Sequence, residues 1–233
     1  MKRPTNPQTE ILIPPSEDRA LAAWEVVTVV ASVLIAEWVV FALAGDNNPL
    51  ALAFPVTTVL VFMLLSHRAR GESAREVGWR LDNFGEAARL LALPMFTVII
   101  LFACIGWYNS NLNFTRWSGG QSILGVPLLS LLWGPLQQYA LQGFINRRTQ
   151  IIMGKGWASV FTVAAIFALL HLPNPWLALA TFAGGLLWAY VYQRAPNIIA
   201  LGISHGLLTW VLISSVPPAA LHNLRVGFKF FGQ

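Results

Sequence analysis

Long apolar runs separated by short polar stretches dominate the sequence. Seven of these runs approach the ~20 residues that an α-helix needs to cross the hydrocarbon layer of a bilayer. They are Leu21–Ala44, Leu50–Ser66, Ala88–Trp107, Ser122–Phe144, Trp157–Leu172, Trp176–Tyr192 and Asn197–Ser215. The alternating pattern that is typical of a membrane β-barrel is absent. The runs therefore predict an all-α, polytopic helical membrane protein with seven transmembrane helices, or eight if the tail also crosses.

Polar segments at both ends set the expected domain organisation. Residues 1–20 are polar and proline-rich and predict an N-terminal tail, and residues 216–233 are polar enough to predict a tail at the membrane interface. Residues 21–215 then form a single transmembrane domain. The first apolar run is too long for the hydrophobic region of a signal peptide, and no small-residue cleavage site follows it. We therefore expect it to remain as the first span.

Basic residues are distributed unequally between the two sides of the predicted bundle. With a cytoplasmic N-terminus, the cytoplasmic segments hold 11 Lys and Arg residues, and the outer segments hold only Arg116, Arg225 and Lys229. Loops on the cytoplasmic side of membrane proteins are enriched in Lys and Arg. The asymmetry predicts a cytoplasmic N-terminus, and a bacterial inner membrane is the expected location.

Composition narrows the class of protein further. Apolar residues make up 56% of the chain and charged residues only 11%, against about 25% charged in soluble domains, which excludes a soluble enzyme. Positive-inside loops account for the net charge of +5 with anionic lipid headgroups as partners, so no nucleic acid is implied. The single cysteine, Cys104, offers neither a disulfide nor a metal-binding spacing. We expect no metal and no cofactor.

All ten carboxylates lie at or before Glu86, so the last four predicted spans contain no acidic residue. At 1.5 Å per residue from the cytoplasmic end, Gln137, His171 and His205 lie at depths of about 15, 21 and 12 Å. Polar residues inside spans are costly and suggest functional sites. The depths predict a buried polar pocket formed by three helices. Glu25 is expected to extend to the interface, and His67 to be solvated.

Three motifs within residues 122–215 carry a resemblance. The chain has Gln137-Gln138-Tyr139-Ala140-Leu141-Gln142-Gly143, then Phe167-Ala168-Leu169-Leu170-His171, and then His205-Gly206-Leu207-Leu208-Thr209. The order and spacing resemble those of the CAAX protease and bacteriocin-processing family, also called the Abi family, of intramembrane glutamic endopeptidases. That family carries Glu-Glu-x-x-x-Arg-Gly, Phe-x-x-x-His and His-x-x-x-Asn. The resemblance implies an intramembrane peptidase scaffold with a pocket open toward the cytoplasm.

The resemblance also implies roles for these positions. In the family the first Glu, with the histidines, is thought to activate water for attack on a peptide bond; here that position is Gln137, and an amide cannot accept a proton near neutral pH. Gln138 and Gln142 replace the second Glu and the Arg, which predicts a neutral hydrogen-bonded pair in place of an ion pair. Thr209 replaces Asn.

Two interpretations of function remain open. In the first, the chain is a pseudoprotease that keeps the pocket and binds a membrane partner or peptide, since loss of a general base typically costs 100–10,000-fold in rate. In the second, it is an active endopeptidase in which His171 and His205 activate water, assisted by Gln137 or by Glu37 as a displaced base at the depth of His171. The amides are also interpretable as interhelical contacts alone. A transporter is disfavoured because the chain shows no inverted repeat.

Overall fold

The computed structural model describes residues 16–44, 49–116 and 125–232, with side chains from residue 53 in the second range and from 132 in the third. The helices are α1 (Ser16–Ala44), α2 (Pro49–Ala69), the single-turn α3 (Ala74–Val77), α4 (Phe84–Tyr108), α5 (Gly125–Gln138), α6 (Arg147–Met153), α7 (Trp157–Leu169), α8 (Pro175–Arg194) and α9 (Ile198–Ser215). Most of the N-terminal tail and residues 122–124, where the fourth span was expected to begin, lie outside the described residues.

Four helices, α1, α4, α8 and α9, are long and apolar enough to cross a membrane. Helix α7 and the described part of α2, Ala53–Ala69, are shorter apolar helices. Many large apolar side chains on these helices face outward, including Leu43, Phe54 and Leu93, each at least 75% exposed. A lipid environment covers such surface without a free-energy cost, whereas water does not. The predicted class of an all-helical integral membrane protein is confirmed.

The helices run up and down, so that one end of the bundle collects most of the charge. At this end, which we call the basic end, α1 and α4 begin and α8 finishes. It carries Arg19, Arg68, Arg70, Arg75, Arg80, Arg89, Arg147, Arg148, Lys155 and Arg194. Two hydrogen bonds at this end join the beginning of α9 to the segment between α3 and α4. The Asn197 side chain donates to Arg80 O at 2.7 Å, and Ile198 N donates to Gly78 O at 2.9 Å.

Two segments of the described helices are π-helical. Ala36–Val40 lies inside α1 and contains Glu37, and Tyr139–Asn146 joins α5 to α6 and contains Gln142. A π-helical turn rotates the following side chains relative to a regular α-helix and is frequent at functional sites. The first motif of the sequence therefore begins in α-helix and finishes in π-helix.

Small residues allow two pairs of helices to approach closely. A Cβ atom on Gly134 of α5 would lie 2.4 Å from Gly202 O of α9, and a Cβ on Gly185 of α8 would lie 2.9 Å from Ala164 Cα of α7. Such contacts are typical of helix crossings in membranes, where small side chains let backbones meet. These crossings fix the register of the four helices that surround the site.

The fifth predicted span ends earlier than the sequence indicated. Helix α7 has 13 residues and finishes at Leu169, so His171 lies in the turn that follows rather than inside a helix. Pro173 explains the difference, because proline lacks a backbone N–H for a helical hydrogen bond and disfavours helical conformation in the residue before it. At 1.5 Å per residue, α7 is about 20 Å long.

The C-terminal tail folds back on this turn. The Asn174 side chain donates hydrogen bonds to Leu221 O at 2.9 Å and to Arg225 O at 3.1 Å, and Gly227 N donates to Leu172 O at 2.9 Å. Two short 3₁₀ turns, His222–Leu224 and Gly227–Phe230, are its only helical pieces in the described part. The tail therefore covers the end of the bundle opposite the basic end.

The expectation that Glu25 extends to the interface is wrong. Glu25 is 7% exposed and accepts a salt bridge from Arg148 Nε at 2.8 Å and one from Arg70 Nη2 at 2.9 Å. The Ser66 hydroxyl also donates to it. The two arginines offset the cost of removing the Glu25 carboxylate from water, so that burial is tolerated here.

The expectation that His67 is solvated is also wrong. His67 is 5% exposed, and its Nδ1 lies 2.6 Å from Glu72 Oε2. Arg148 Nη2 lies 2.8 Å from the same oxygen, and Arg147 also pairs with Glu72. Burial alone would raise the pKa of Glu72, but hydrogen bonds from His67, Arg148 and Arg147 outweigh it and hold that pKa well below its usual range. We call Glu25, Ser66, His67, Arg70, Glu72, Arg147 and Arg148 the ionic cluster.

Candidate functional site

Gln138 and His205 meet where α5 crosses α9. Both are buried, and Gln138 Nε2 lies 3.1 Å from His205 Nδ1. The contact follows from the crossing, because Gln138 comes one turn after Gly134 and His205 one turn after Gly202. With the Gln138 amide in this orientation its nitrogen donates and His205 Nδ1 accepts, which leaves the proton of the neutral ring on Nε2. His205 therefore offers an N–H donor from Nε2.

His171 has the opposite tautomer. Its Nδ1 lies 2.7 Å from Phe167 O, one helical turn earlier in the chain. A carbonyl oxygen can only accept, so His171 Nδ1 carries the proton and Nε2 carries a lone pair. The two neutral imidazoles therefore differ in chemistry, since one presents an acceptor and the other a donor.

Two aromatic rings hold these imidazoles in place. The ring of Phe167 packs edge-on against His171 at 4.8 Å between centroids and against His205 at 5.9 Å, and Trp188 stacks on His205 at 4.5 Å. Trp188 Nε1 donates to Ser204 Oγ at 2.9 Å, which fixes the indole. We call Gln138, Gln142, His171 and His205, with the rings of Phe167 and Trp188, the motif cluster.

Sequence reasoning missed Trp188 and did not give Phe167 a role beyond the motif. Both residues lie one turn after the close crossing of α7 and α8, since Phe167 follows Ala164 and Trp188 follows Gly185. An aromatic residue three positions after a small residue on each of two neighbouring helices was the available signal. A single glycine in a helix is too common to indicate such a crossing by itself.

Gln142 does not pair with Gln138, contrary to the expectation of a neutral hydrogen-bonded pair. Gln142 Oε1 accepts from Asn146 Nδ2 at 2.7 Å, and Asn146 Oδ1 accepts from Gln150 Nε2 at 3.0 Å. Spacing of four brings side chains together in an α-helix, but the helix is π-helical from Tyr139. Sequence reasoning also missed Asn146, which is fully buried.

Two buried amide atoms of the motif cluster have no hydrogen-bond partner among the described residues. These are the acceptor Gln138 Oε1 and the donor Gln142 Nε2, and both side chains are 0% exposed. An unpaired buried polar group typically costs about 1–3 kcal/mol. Neither amide is therefore fully hydrogen-bonded, and one acceptor and one donor remain without a partner among the described residues.

The remaining predicted site residues do not join this network. Gln137 and Thr209 are half-buried and make no side-chain hydrogen bond to another described residue. Glu37 makes no hydrogen bond or ion pair with His171 or His205, and its Oε2 is buried without a partner in the described part of the chain. The C-terminal tail packs directly on Glu37, since a Cβ on Gly227 would lie 2.6 Å from Glu37 O.

The motif cluster is neutral in composition. The carboxylates of Glu25 and Glu72 are paired with arginines in the ionic cluster. Across the described ranges, no group of three or more His, Cys, Asp or Glu side chains is placed to hold a metal ion. The arrangement combines an imidazole lone pair, an imidazole N–H and two amide groups, which together can bind a polar group that both donates and accepts.

The fold and this site define a helical integral membrane protein with histidine and amide side chains from α5, α9 and the α7–α8 turn. Residues 119–211 match the family model described as Rce1-like, type II CAAX prenyl endopeptidase. This range contains all three motifs, and the match supports membership of the CAAX protease family. Comparisons with curated proteins and with solved structures found no match.

Proposed function

We propose that this CAAX protease-like membrane protein is a pseudoprotease that binds a peptide segment of a membrane-associated partner in the motif cluster without cleaving it. The observation that carries the proposal is the pair of unpartnered buried amide atoms, Gln138 Oε1 and Gln142 Nε2. A peptide group presents one N–H and one C=O, so it can satisfy an acceptor and a donor together. Water can do the same, and the experiment below separates the two.

The absence of a carboxylate from the motif cluster favours binding over cleavage. Gln137 stands where the family has its presumed general base, and no acidic residue follows Glu86 in the sequence. Neither imidazole of the motif cluster is paired with a carboxylate in the described residues, so neither is oriented or made more basic by one. A positioned general base typically contributes 100–10,000-fold to rate.

The test uses a prenylated CAAX peptide with a fluorophore, offered to the purified protein in lipid nanodiscs. We expect the parent protein to bind the peptide without cutting it, and Gln138→Leu to weaken binding by about tenfold, the loss of one to two hydrogen bonds. His222→Ala changes an exposed histidine of the tail and serves as the control. Cleavage by the parent that His171→Ala abolishes would overturn the proposal.

A second set of variants asks whether the missing charges explain the lack of cleavage. The triple change Gln137→Glu, Gln138→Glu and Gln142→Arg restores the charged residues of the family motif. We expect this variant to cleave the same fluorogenic peptide when the parent does not. If it folds and binds but does not cleave, loss of these charges is not what separates this chain from active members of the family.

One observation favours the active endopeptidase as a second candidate, namely the different partners of the two Nδ1 atoms, an amide nitrogen at His205 and a carbonyl oxygen at His171, which imply opposite tautomers. His171 Nε2 would accept a proton from water while the water oxygen attacks the carbonyl carbon. His205 Nε2–H would donate to the resulting oxyanion, and His171 would return its proton to the leaving amine. His171→Ala would then abolish cleavage. Glu37→Gln tests the displaced base, which acts in this scheme only if cleavage also falls in that variant.

We also propose seven crossings within residues 21–215, flanked by the tails 1–20 and 216–233, with the basic end in the cytoplasm of a bacterial cell. Segregation of Lys and Arg at one end supports this orientation. Cysteine labelling tests it, after Cys104→Ala removes the native thiol. A cysteine at Arg68 should react only when the inner face is accessible, and a cysteine at Arg116 only from outside.

A further inference from the structure

A surface groove at the basic end lies outside the motif cluster. One part, about 560 Å³ in volume, is lined by Glu86, Arg89, Leu90 and Arg194. The adjoining part, about 230 Å³, shares Arg194 and is lined by Lys155, Trp157, Tyr190 and Gln193 among others. We call the two parts together the Arg194 groove. It lies between the beginnings of α4 and α7 and the end of α8.

Hydrogen bonds hold the three walls of the groove together. Asn83, which precedes α4, donates from Nδ2 to Pro196 O at 3.1 Å just after the end of α8. Gly156, which precedes α7, donates from its backbone N to Gln193 Oε1 at 2.9 Å. These bonds place the end of α8, which carries Arg194, between the beginnings of α4 and α7.

The electrostatic field in the groove favours an anion. Arg89, Lys155 and Arg194 outnumber the single lining carboxylate, Glu86. Helices α4 and α7 both begin at the groove, and the N-terminal end of a helix carries a partial positive charge. The only side-chain hydrogen bond of these three basic residues in the described part of the chain is from Arg89 Nε to Gly85 O at 3.2 Å.

Aromatic rings place the groove at the membrane surface. The Arg194 guanidinium lies 4.3 Å from the centroid of the Tyr190 ring, and Tyr190 stacks on Trp157 at 5.5 Å. Trp157 is 61% exposed. Tryptophan and tyrosine rings concentrate at the level of lipid headgroups, and basic pockets between helices at that level are suited to anionic headgroups.

We propose that the Arg194 groove binds the phosphate group of an anionic phospholipid. Arg89, Lys155 and Arg194 surround the phosphate, and Trp157 and Leu90 contact the adjoining glycerol and upper acyl region. Lipid, rather than soluble phosphate, is the expected source because apolar and aromatic side chains line the same groove. The proposal is independent of the proposed function, since the groove shares no residue with the motif cluster.

The experiment measures binding of a fluorescent phosphatidylglycerol to the purified full-length protein in phosphatidylcholine nanodiscs. The double variant Arg89→Gln/Arg194→Gln should lose at least about tenfold in affinity, because it removes two of the three cations proposed to surround the phosphate. The control Arg68→Gln/Arg75→Gln removes the same charge from exposed residues of the same end. It should change affinity by less than about twofold.

Three results would overturn the proposal. An equal loss of affinity in both double variants would mean that only the overall charge of the basic end matters. Displacement of the lipid by millimolar inorganic phosphate would identify a soluble anion as the ligand. An unchanged affinity in the Arg89→Gln/Arg194→Gln variant, with an unchanged melting temperature, would exclude the groove as the lipid site.

Discussion

The continuous helical run from α5 through the π-helical segment to α6 carries two polar clusters of opposite character. Near its middle, Gln138 and Gln142 contribute to the motif cluster, which contains no charged side chain and leaves two amide atoms unpaired. Two turns further on, Arg147 and Arg148 contribute to the ionic cluster, in which every acidic side chain pairs with arginine. The same helical run thus has charge where it stabilises the bundle and lacks it where the family has its catalytic motif.

The two clusters show two different uses of buried polar side chains. Buried charges persist in the ionic cluster because removal of one partner leaves the others uncompensated in a medium that solvates them poorly. In the motif cluster, replacement of every charged position by an amide avoids that penalty. Unpaired buried polar atoms occur in both clusters, since His67 Nε2 of the ionic cluster also lacks a hydrogen-bond partner among the described residues. The two clusters therefore differ in charge, and only the motif cluster is uncharged.

The largest expected effect is the loss of Arg148. This side chain is fully buried and pairs with both Glu25 and Glu72, so Arg148→Met leaves two buried carboxylates without their shared partner. We expect a loss of about 3–5 kcal/mol in the free energy of unfolding, measured by denaturant titration in detergent. Arg68→Met, at an exposed position, should change it by less than about 0.5 kcal/mol. Equal effects would mean that the ionic cluster does not stabilise the bundle.

A smaller effect should appear when acid protonates Glu72. Its folded-state pKa is depressed below the unfolded value of about 4.3. Its contribution to stability is therefore complete above that unfolded pKa and is lost as the pH falls toward the folded-state pKa. Unfolding curves at a series of pH values should show stability falling below pH 4.3 in the parent.

The variant Glu72→Gln should flatten that part of the pH profile, and Glu17→Gln, at an exposed position, should leave it as in the parent. The neutral motif cluster contributes no carboxylate to this titration. An identical acid profile in Glu72→Gln and in the parent would show that Glu72 is not the group that links stability to pH.

Sequence alone predicted the helices well, because the length of an apolar run reflects bilayer thickness. The run Ala88–Trp107 corresponds to α4, and Asn197–Ser215 corresponds to α9 with Asn197 as its N-cap. The ionic cluster was not predictable in this way. Glu25 and Arg148 are distant in sequence, and each alone resembles an ordinary charge at a helix end.

The candidate site was predictable in part. Depth counting placed Gln137, His171 and His205 at similar levels. In the structure it is the neighbouring Gln138 that lies within hydrogen-bonding distance of His205. The predicted partner of Gln142 was wrong, because the spacing rule assumes α-helical geometry and the π-helical segment intervenes. No composition or hydropathy pattern marks where an α-helix becomes a π-helix.

The close crossing of α5 and α9 brings Gln138 to His205. A Cβ on Gly202 would lie 2.5 Å from Pro135 Cγ and 2.6 Å from its Cα, so Gly202→Ala forces α5 and α9 apart. We expect a loss of about 1–3 kcal/mol in stability, together with weaker binding of the prenylated peptide. Gly85→Ala is the control, since a Cβ there meets no atom within 4 Å. Similar behaviour of the two variants would mean that the crossing does not position the site.

The smallest expected effect on stability is at Gln138 itself. Gln138→Leu removes the hydrogen bond to His205 but also removes the unpaired Oε1. These changes oppose each other, so the free energy of unfolding should change by about 1 kcal/mol or less. Gln150→Leu removes a single side-chain hydrogen bond to Asn146 and provides a control on the same helical run.

Peptide binding should then distinguish the two glutamines. Gln138→Leu should lower affinity for the prenylated peptide about tenfold, whereas Gln150→Leu should leave it within about twofold, although their stabilities are similar. If both variants bind the peptide as tightly as the parent, the unpaired amide of Gln138 does not contact the peptide. The motif cluster would then resemble the ionic cluster after all, as a purely structural set of interhelical contacts made without charge.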